Sequence, residues 1–451
     1  MHNYRRKKRS QEHAAADRHQ TGASGHAPLD HPLVPAAQAE VISTPEALAA
    51  FVAHLADHPV VAYDTEFIGE ESFYPKLCLV QIATTDRVAL IDPVAQQGES
   101  LSVGSLFRAL AERGRTVLVH AGETDLGILR RGADAEPDAV VDTQIAAAMC
   151  WMPWPSSLGT VLESLTGYRL GKAHTFTNWD ARPLTPAQLR YAADDVRYLR
   201  LMWHLLSERL NQLGRFEWAL AESREQLRAS DFAPESQLRR ILRTEPLRAG
   251  QAAIARQLVT VRYELARSND LPARTVMPDA AVVELCKRRP ADRAQLGNIA
   301  GIPRRIVAAH GDQILEAIRA VREQGGQGGQ GGHGGHAAQQ STPLDDPRVR
   351  AECDALWTAC QVRAHSTGMA PNLVVTRNAF TRWFGTMVEA RKAGQALSTS
   401  GGTEPLFAPD DWRMHALGHW VDAFLRGEER LELVWSAQGT VAPGFERPKD
   451  A

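Results

Sequence analysis

An apolar run near position 60 ends in two carboxylates, Asp64 and Glu66, within the stretch P-V-V-A-Y-D-T-E-F at residues 59–67. Side chains at positions i and i+2 of a β-strand share one face, so these two carboxylates would project together. Two unpaired carboxylates at that separation repel each other, and a divalent cation between them would relieve the repulsion. The alternative is that the strand has ended and a polar loop begins.

A second acidic segment is V-L-V-H-A-G-E-T-D-L-G-I-L at residues 117–129, which is typical of a strand, a short glycine turn and the start of an amphipathic helix. Asp125 lies near the helix N-terminus, where it could bind metal or complement the helix dipole, an alternative that also fits Glu123. We interpret His120 as a core or turn histidine without a catalytic role, and Asp142 as the N-cap of the following helix.

A third segment, Y-A-A-D-D-V-R-Y-L at residues 191–199, falls within a helix predicted to start near Pro186. Tyr191 and Asp195 are four residues apart and share a helix face, whereas Asp194 lies round the helix and is expected to face solvent. The alternatives are core packing for Tyr191 and an ion pair with an arginine for Asp195. Each signal is weak alone, but the three segments together form a specific set.

The elements that must position this set belong to one predicted α/β unit at residues 40–214. Alternating and apolar runs predict strands, and 3.6-residue periodicity predicts helices. The strands are expected at 60–63, 77–83, 88–91 and 116–120, and the helices at 45–56, 105–112 and 186–210. Thr44 is a plausible N-cap, with Pro45 at the first helical position. Antiparallel strands followed by strand–helix alternation predict a mixed sheet flanked by helices.

The rest of the chain divides by composition. One or two small all-α domains are expected after the α/β unit. The predicted segments are a disordered basic arm at 1–38, a helical connector at 215–246, a helical domain at 247–323, a Gly-rich linker at 324–344 and a small helical domain at 345–451. The linker reads G-G-Q-G-G-Q-G-G-H-G-G-H, which is typical of a flexible spacer.

Charge is distributed unevenly. The whole chain of 451 residues has a formal net charge of -2, but residues 40–214 carry -8 and residues 247–323 carry +5. That division suits an enzyme that holds cations in one unit and a polyanion on another. Five scattered cysteines without a C-x-x-C pair argue against a zinc ribbon or a disulfide framework and favour reduced thiols in the cytoplasm. No apolar run approaches the ~20 residues that span a bilayer, and the basic opening residues, with no apolar stretch behind them, are not expected to be a secretory signal.

Four segments carry a resemblance to a known family. They are Y-D-T-E-F (63–67), Y-P-K-L-C-L-V-Q-I-A (74–83), H-A-G-E-T-D-L (120–126) and W-D-A-R-P-L-T-P-A-Q-L-R-Y-A-A-D-D-V-R-Y-L (179–199). Through them residues 40–214 resemble the DEDD superfamily of 3'-to-5' exonucleases, in the branch with a tyrosine in the third motif (DEDDy), and within it the ribonuclease D family. Residues 247–323 are similar to the helicase-and-ribonuclease-D C-terminal (HRDC) domain, through I-A-G-I-P-R-R-I-V-A-A-H-G-D-Q-I-L at 299–315. Residues 345–451 carry a weaker resemblance to a diverged second copy.

The resemblance implies a ribonuclease-H-like fold and two divalent cations, Mg²⁺ or Mn²⁺, with no small-molecule cofactor. The residues that it implies as metal ligands are Asp64, Glu66, Asp125 and Asp195, and Tyr191 would orient the attacking water. Four hard carboxylate ligands are the kind that these cations prefer, and two such cations can stabilise both oxygens of a phosphodiester displacement. All four carboxylates of the pattern are present, so the sequence predicts an active enzyme.

Candidate substrate-binding residues surround this set, each with a structural alternative. Lys76 and Gln81 resemble positions near the substrate terminus, or are a surface lysine and a strand-face amide. Lys172, Trp179 and Arg182 precede the Tyr191 helix and could hold phosphate or stack on a base; Trp179 could equally pack, and Arg182 could pair with Asp180 or Asp195. Arg304 and Arg305 follow a G-I-P turn that could present backbone N–H groups to phosphate, or lie on a solvated face.

The function predicted first is a 3'-to-5' exoribonuclease that trims structured RNA ends such as precursor tRNA, with a monomer favoured. The RNA preference is implied by the family resemblance alone, because carboxylates and metal do not sense a 2'-OH. A DNA 3'-to-5' exonuclease is the near alternative, and a non-catalytic nucleic-acid-binding scaffold is an alternative of a different class. The intact carboxylate set weighs against the scaffold.

Overall fold

The computed structural model describes residues 27–446 with internal gaps. The gaps are 70, 95–99, 172–177, 230–233, 245–246, 248, 327–342, 396, 401–404 and 436–440. Lys172, most of the predicted Gly-rich linker and the basic cluster near the N-terminus therefore lie outside the described residues. None of the described helices is both long enough and apolar enough to span a bilayer.

A six-stranded mixed sheet forms the centre of the catalytic region. Its strands are β1 (Glu40–Ile42), β2 (Val60–Ile68), β3 (Lys76–Ala83), β4 (Val88–Ile91), β5 (Thr116–Val119) and β6 (Ala139–Asp142), in the order β1-β4-β3-β2-β5-β6. β3 runs antiparallel to β2 and β4, and the other neighbours are parallel. The mixed sheet is as predicted, but the short edge strands β1 and β6 were not predicted.

β2 extends five residues beyond the predicted strand, through both carboxylates. It pairs with β3 along almost all of its length, with Asp64 opposite Gln81 and Glu66 opposite Leu79. β5 pairs with β2 only at residues 60–62. The second half of β2 therefore lies beyond the end of β5, where the helix that follows β5 begins.

Eight helices flank the sheet in this part of the described chain. They are α1 (Pro45–His54), α2 (Gly104–Leu110), α3 (Glu123–Ala133), α4 (Thr143–Ala148), α5 (Leu158–Thr166), α6 (Pro186–Arg197), α7 (Leu199–Gln212) and α8 (Phe216–Ala229). Thr44 caps α1 as predicted, and Thr185 and Gln188 form a capping box that starts α6. The helix predicted over 186–210 is divided at Tyr198 into α6 and α7.

A second helical region follows, with its own hydrophobic core. Its helices are α9 (Pro234–Thr244), α10 (Ala249–Ser268), α11 (Ala273–Val276), α12 (Asp279–Arg288), α13 (Arg293–Gly297) and α14 (Arg304–Gly326). Leu258, Val282 and Ile314 are fully buried in this core. Phe73, from the loop between β2 and β3, joins the same core, and its backbone N–H donates to Asp270 Oδ1 at 3.1 Å.

The C-terminal region is helical and then forms a two-stranded antiparallel sheet. It comprises α15 (Pro347–Ser366), α16 (Pro371–Val374), α17 (Arg377–Lys392), a π-helical turn (Met414–Gly418), α18 (His419–Leu425), β7 (Arg430–Trp435) and β8 (Val441–Glu446). The prediction of an entirely helical C-terminal domain is therefore wrong for the last strands. Buried residues of this region, such as Phe380, belong to the same hydrophobic cluster as Leu206 of the catalytic region.

Residues 27–38, expected to be part of a disordered arm, pack against the catalytic region instead. Val34 is 4% exposed and belongs to the main hydrophobic cluster. Arg197, itself buried, donates from Nη1 to the carbonyl oxygens of Pro35 and Ala37. These hydrogen bonds fix the segment to the end of α6, so the expectation of disorder is wrong for residues 27–38.

Candidate active site

Three carboxylates converge where α6 crosses the sheet. Asp64 and Glu66 project from the same face of β2, and Asp195 reaches them from α6, which packs on β2, β3 and β4. One carboxylate oxygen of each residue lies within 4.8 Å of the others. The i, i+2 strand spacing and the position of Asp195 one turn after Tyr191 thus produce the cluster that the sequence predicted.

Asp125, in the first turn of α3, is 8% exposed and near enough for its charge to raise the pKa of Asp64, but it is not one of the three carboxylates within 4.8 Å of one another. Its Oδ1 accepts hydrogen bonds from the backbone N–H of Thr65, at 3.1 Å, and from the Thr65 hydroxyl. The hydroxyl of Tyr63 donates to the backbone carbonyl of Asp125 at 3.0 Å. Thr65 lies between the two β2 carboxylates in sequence, and its two hydrogen bonds attach Asp125 to β2.

The electrostatics of the cluster reflect burial and like charge. Burial raises the pKa of Asp64 well above its ordinary value, and the neighbouring charges of Asp125, Asp195 and Glu66 raise it further. The same causes raise the pKa of Glu66 to about 8 and that of Asp195 to about 7. Burial also raises the pKa of Asp125 to about 6, against the opposing effect of its hydrogen bonds to Thr65. The folded chain therefore concentrates negative charge that it does not neutralise itself.

The donor set fits divalent cations. The largest contributions to the pKa shifts of Asp64, Glu66 and Asp195 come from burial and neighbouring groups of the described chain, and no lysine or arginine is among them. Gln81, opposite Asp64 on β3, is fully buried, and both polar atoms of its amide lack a protein partner. Unpaired carboxylates beside an orphaned amide are suited to hard cations and their bound water.

Tyr191 is placed to act on this cluster. Its hydroxyl is hydrogen-bonded to the Asp195 carboxylate, and its ring centroid lies 6.1 Å from that of Trp179. Burial and the charges of Asp195, Glu66 and Asp64 raise the pKa of Tyr191 far above its ordinary value. The phenol therefore stays protonated at neutral pH, and it can orient a water by hydrogen bonding but not remove its proton.

The residues predicted to bind substrate fall into different environments. Lys76 is exposed, and its Nζ lies 3.3 Å from Asp180 Oδ2. Trp179 is 4% exposed and Gln81 is fully buried, so both occupy interior positions in this structure. Packing, the alternative considered for Trp179, is what the structure shows.

The Arg182 guanidinium forms its hydrogen bonds with other residues of the folded chain. Its guanidinium donates to both carboxylate oxygens of Asp92, at 2.7 and 2.5 Å, and Asp92 is 2% exposed. It also donates to the carbonyl oxygens of Trp179 and Cys78. The ion pair considered for Arg182 was with Asp180 or Asp195, and the structure gives Asp92 instead. Arg182 fastens the segment before α6 to β3 and β4, which leaves no donor directed at a phosphate.

Arg304 and Arg305 form the first turn of α14. Both are exposed, and neither forms an ion pair with another residue in the described parts of the chain. The preceding Gly301 has φ +90, a left-handed conformation that favours glycine and turns the chain into the helix. The pair thus projects from the surface of the second helical region.

Several supporting residues were not assigned to the site from the sequence. Thr65 and Tyr63 position Asp125, and Asp92 positions Arg182, as described above. Asp142 caps α4 as predicted: its carboxylate accepts a hydrogen bond from the backbone N–H of Gln144, and it also accepts from the backbone N–H groups of Ala121 and Gly122. Side chains alternate along a strand, so the D-T-E pattern could have indicated that Thr65 faces away from the two carboxylates.

Comparisons with known proteins identify two domains and similar proteins. Residues 39–211 match the 3'-5' exonuclease family, and residues 251–318 match the HRDC domain. Ribonuclease D of Gluconacetobacter diazotrophicus is 33% identical over 282 residues, covering 62% of this chain and 71% of that protein. Ribonuclease D of Escherichia coli K12 is 31% identical over 281 residues, covering 62% of this chain and 74% of that protein.

A solved structure shows the same fold. The crystal structure of Escherichia coli RNase D, an exoribonuclease involved in structured RNA processing, aligns with a TM-score of 0.62 at 24% sequence identity. The alignment covers 86% of this chain and 99% of that one. With the two domain matches and relatives above 30% identity over most of their length, the chain belongs to the ribonuclease D family of 3'-5' exoribonucleases.

Proposed function

We propose that the protein removes nucleotides from RNA 3' ends with two divalent cations, Mg²⁺ or Mn²⁺, held by Asp64, Glu66, Asp125 and Asp195. The observation that carries this proposal is the convergence of Asp64, Glu66 and Asp195 oxygens within 4.8 Å. When bound, the cations would supply an activated water and stabilise charge on the attacking and leaving oxygens.

Side chains of the site orient the attacking water and hold the metal ligands in place. Tyr191, hydrogen-bonded to Asp195, holds the attacking water in line with the scissile phosphate through its protonated hydroxyl. Thr65 holds Asp125 at the cluster, so this carboxylate does not have to be ordered at the moment of reaction. Burial around the site reduces the number of competing water molecules and strengthens the electrostatic interactions.

Substrate binding is assigned to lysine and arginine side chains. Lys76 pairs with Asp180 at an exposed position, and such a pair is worth only about 0–1 kcal/mol, so a phosphate can replace the aspartate. Lys172, Arg304 and Arg305 complete the proposed phosphate contacts, with the arginines on the HRDC domain. Precursor tRNA with extra 3' nucleotides is the proposed natural substrate, and the protein is proposed to act as a monomer in the cytoplasm.

The test is degradation of a 5'-labelled single-stranded RNA by the wild type and by Asp64→Asn, with Mg²⁺, Mn²⁺ or EDTA. We expect a ladder that shortens from the 3' end for the wild type with metal, and no ladder for Asp64→Asn or in EDTA. An equal ladder from both proteins would refute the carboxylate assignment, and binding without shortening would support the scaffold alternative.

Two further substrates address the finer proposal. A DNA strand of matched sequence should be shortened more slowly than the RNA, and a faster DNA ladder would favour the DNA exonuclease. A precursor tRNA with a 3' extension should be trimmed to a discrete end close to the acceptor stem. Unrestricted digestion into the stem would contradict the tRNA-processing proposal.

A further inference from the structure

A cluster of two histidines and one aspartate lies apart from the carboxylate site. His54 ends α1, His58 follows the short 3-10 turn Leu55–Asp57, and Asp86 lies in the tight turn between β3 and β4. The Nε2 atoms of both histidines lie 3.6 Å from the same oxygen, Asp86 Oδ1. The two imidazole rings are 4.2 Å apart between centroids.

This cluster is on the opposite face of the sheet from the side chains of Asp64 and Glu66. α1 packs through Phe51 and Leu55 on the sheet face that contains Val61 and Tyr63. Asp64 follows Tyr63 on β2 and therefore points to the other face. The sheet thus separates the histidines from Asp64 and Glu66, and a cation bound at one place would not occupy the other.

The distances match those between donors of a metal site. A tetrahedral Zn²⁺ site with bonds of ~2.0–2.2 Å has donor-to-donor edges of ~3.3–3.6 Å. Both Nε2-to-Oδ1 separations, at 3.6 Å, are near the upper end of that range. All three ligand atoms lie within 4.8 Å of one another, so a small contraction would close the site.

The protonation state also suits a ligand role. Burial and the nearby charge of His58 lower the pKa of His54, which favours the neutral imidazole that binds metal. The charge of Arg87 also lowers the pKa of His54, and its guanidinium is held by both carboxylate oxygens of Glu40, each at 2.8 Å.

The surroundings hold the ligands in place. The buried Thr84 hydroxyl lies 3.1 Å from Asp86 Oδ1 and 3.1 Å from His54 Nε2, so it orients both. Metal binding would exchange the His54 bond to Thr84 for a bond to the metal and leave the Thr84–Asp86 bond intact. The buried Arg115 donates to the carbonyl oxygens of Leu55 and His58, which fixes the turn that carries the second histidine.

We propose that His54, His58 and Asp86 form a binding site for one divalent transition-metal ion of the Zn²⁺ type. The ion ties the end of α1 to the turn between β3 and β4. Imidazole and carboxylate ligands select Zn²⁺, Co²⁺ or Ni²⁺ over Mg²⁺, which prefers oxygen ligands and retains its water. The site is therefore independent of the catalytic cations in both place and chemistry.

The test uses full-length protein in which Asp64→Asn and Asp195→Asn weaken the carboxylate site, stripped of metal and titrated calorimetrically with Zn²⁺. We expect one equivalent to bind. His58→Gln in this background should weaken binding by at least ~100-fold, since even residues that only support metal ligands contribute ~10–100-fold. Co²⁺ should give strong visible absorption bands in the background protein and lose them with His58→Gln.

Two further variants make the outcome unambiguous. His204→Gln is the matched control, because His204 forms an exposed pair with Glu208, at 3.7 Å, and the described chain places no second histidine in that pair. It should bind Zn²⁺ as the background protein does. Asp86→Asn, at a side chain that is 62% exposed, replaces His58→Gln if the latter fails to fold. Equal Zn²⁺ affinity in all variants would mean adventitious metal only, and that result, or no binding by the background protein, would overturn the proposal.

Discussion

The carboxylate cluster on β2 and the arginine pair at the start of α14 both concentrate like charge, but they are built in opposite ways. Asp64, Glu66 and Asp195 are partly buried and held within 4.8 Å of one another. Arg304 and Arg305 are exposed side chains on a separate hydrophobic core. The carboxylates raise one another's pKa values, whereas water already screens the arginines.

The difference separates chemistry from substrate binding. Buried like charge costs free energy in the folded chain, so the carboxylate site is a fixed arrangement that becomes favourable only with cations bound. Exposed arginines cost the folded chain little free energy, and they attract phosphate over a distance that depends on the salt concentration. Changes at the first region should therefore act on catalysis, and changes at the second should act on affinity and its salt dependence.

The largest expected effect is on catalysis. Asp195→Asn should lower kcat by at least ~1,000-fold, about 4 kcal/mol of transition-state stabilisation, because it removes a proposed metal ligand and the partner of Tyr191. Single-turnover cleavage of a labelled RNA measures it. The adjacent Asp194→Asn is the control: Asp194 is 39% exposed, pairs with Arg197 at 3.9 Å and should keep kcat within a few-fold. Equal losses in the two variants would contradict the separation of roles.

The next effect tests a residue that looks like part of the substrate site but is structural. Arg182→Met should lower the free energy of unfolding by about 3 kcal/mol, because it leaves the buried Asp92 carboxylate without its partner. Urea unfolding measures the change, and Asp92→Leu added to Arg182→Met should recover part of it. If Arg182→Met had the stability of the wild type but a much lower affinity for RNA, Arg182 would be a substrate-binding residue.

A smaller effect is expected at the second region. Reversing Arg304 and Arg305 to glutamate should weaken RNA binding about 10-fold at low salt and reduce the slope of log affinity against log salt concentration by about 2. The value of kcat at saturating RNA should not change. The control reverses Arg391 and Arg426, which are exposed, carry the same charge and pair with Glu352 and Glu428. Identical binding and salt slopes in the two double variants would refute the arginine assignment.

The smallest expected effect is a pH dependence of stability without metal. The folded chain raises the pKa of Asp125 to about 6, Asp195 to about 7 and Glu66 to about 8, so between about pH 4 and 8 it binds more protons than the unfolded chain. Stability in EDTA should therefore fall as pH rises through this window. Melting temperatures at pH 5 and pH 8 measure the fall, which Mg²⁺ or Asp64→Asn should reduce. If the difference in melting temperature between pH 5 and pH 8 were the same in Asp64→Asn as in the wild type, repulsion between the carboxylates would not be its cause.

The sequence could predict the carboxylate cluster because its information is local. The i, i+2 spacing of Asp64 and Glu66 and the i, i+4 spacing of Tyr191 and Asp195 each fix a face of one element. The partner of Arg182 could not be found in this way, since Asp92 is 90 residues away in the chain. The edge strands β1 and β6 are three and four residues long, too short to produce a clear alternating pattern.

The C-terminal region shows the same limit at a larger scale. Its amphipathic helices resemble those of a separate domain. That this region is a diverged second HRDC domain remains a prediction. In the structure, Arg215 donates to the carbonyl oxygens of Met149 and Thr367, and the Trp218 ring stacks on Trp412 at 5.8 Å. These contacts join residues up to 194 positions apart, which periodicity in a local window does not reveal.

The most direct test of the central claim is to locate the cations. Crystals of the wild type and of Asp64→Asn would be soaked in Mn²⁺, and anomalous diffraction would be measured for both. We expect anomalous peaks between the carboxylates of Asp64, Glu66, Asp125 and Asp195 in the wild type, and their loss in Asp64→Asn. A fully occupied Mn²⁺ elsewhere in the wild type, with no peak among these four carboxylates, would contradict it.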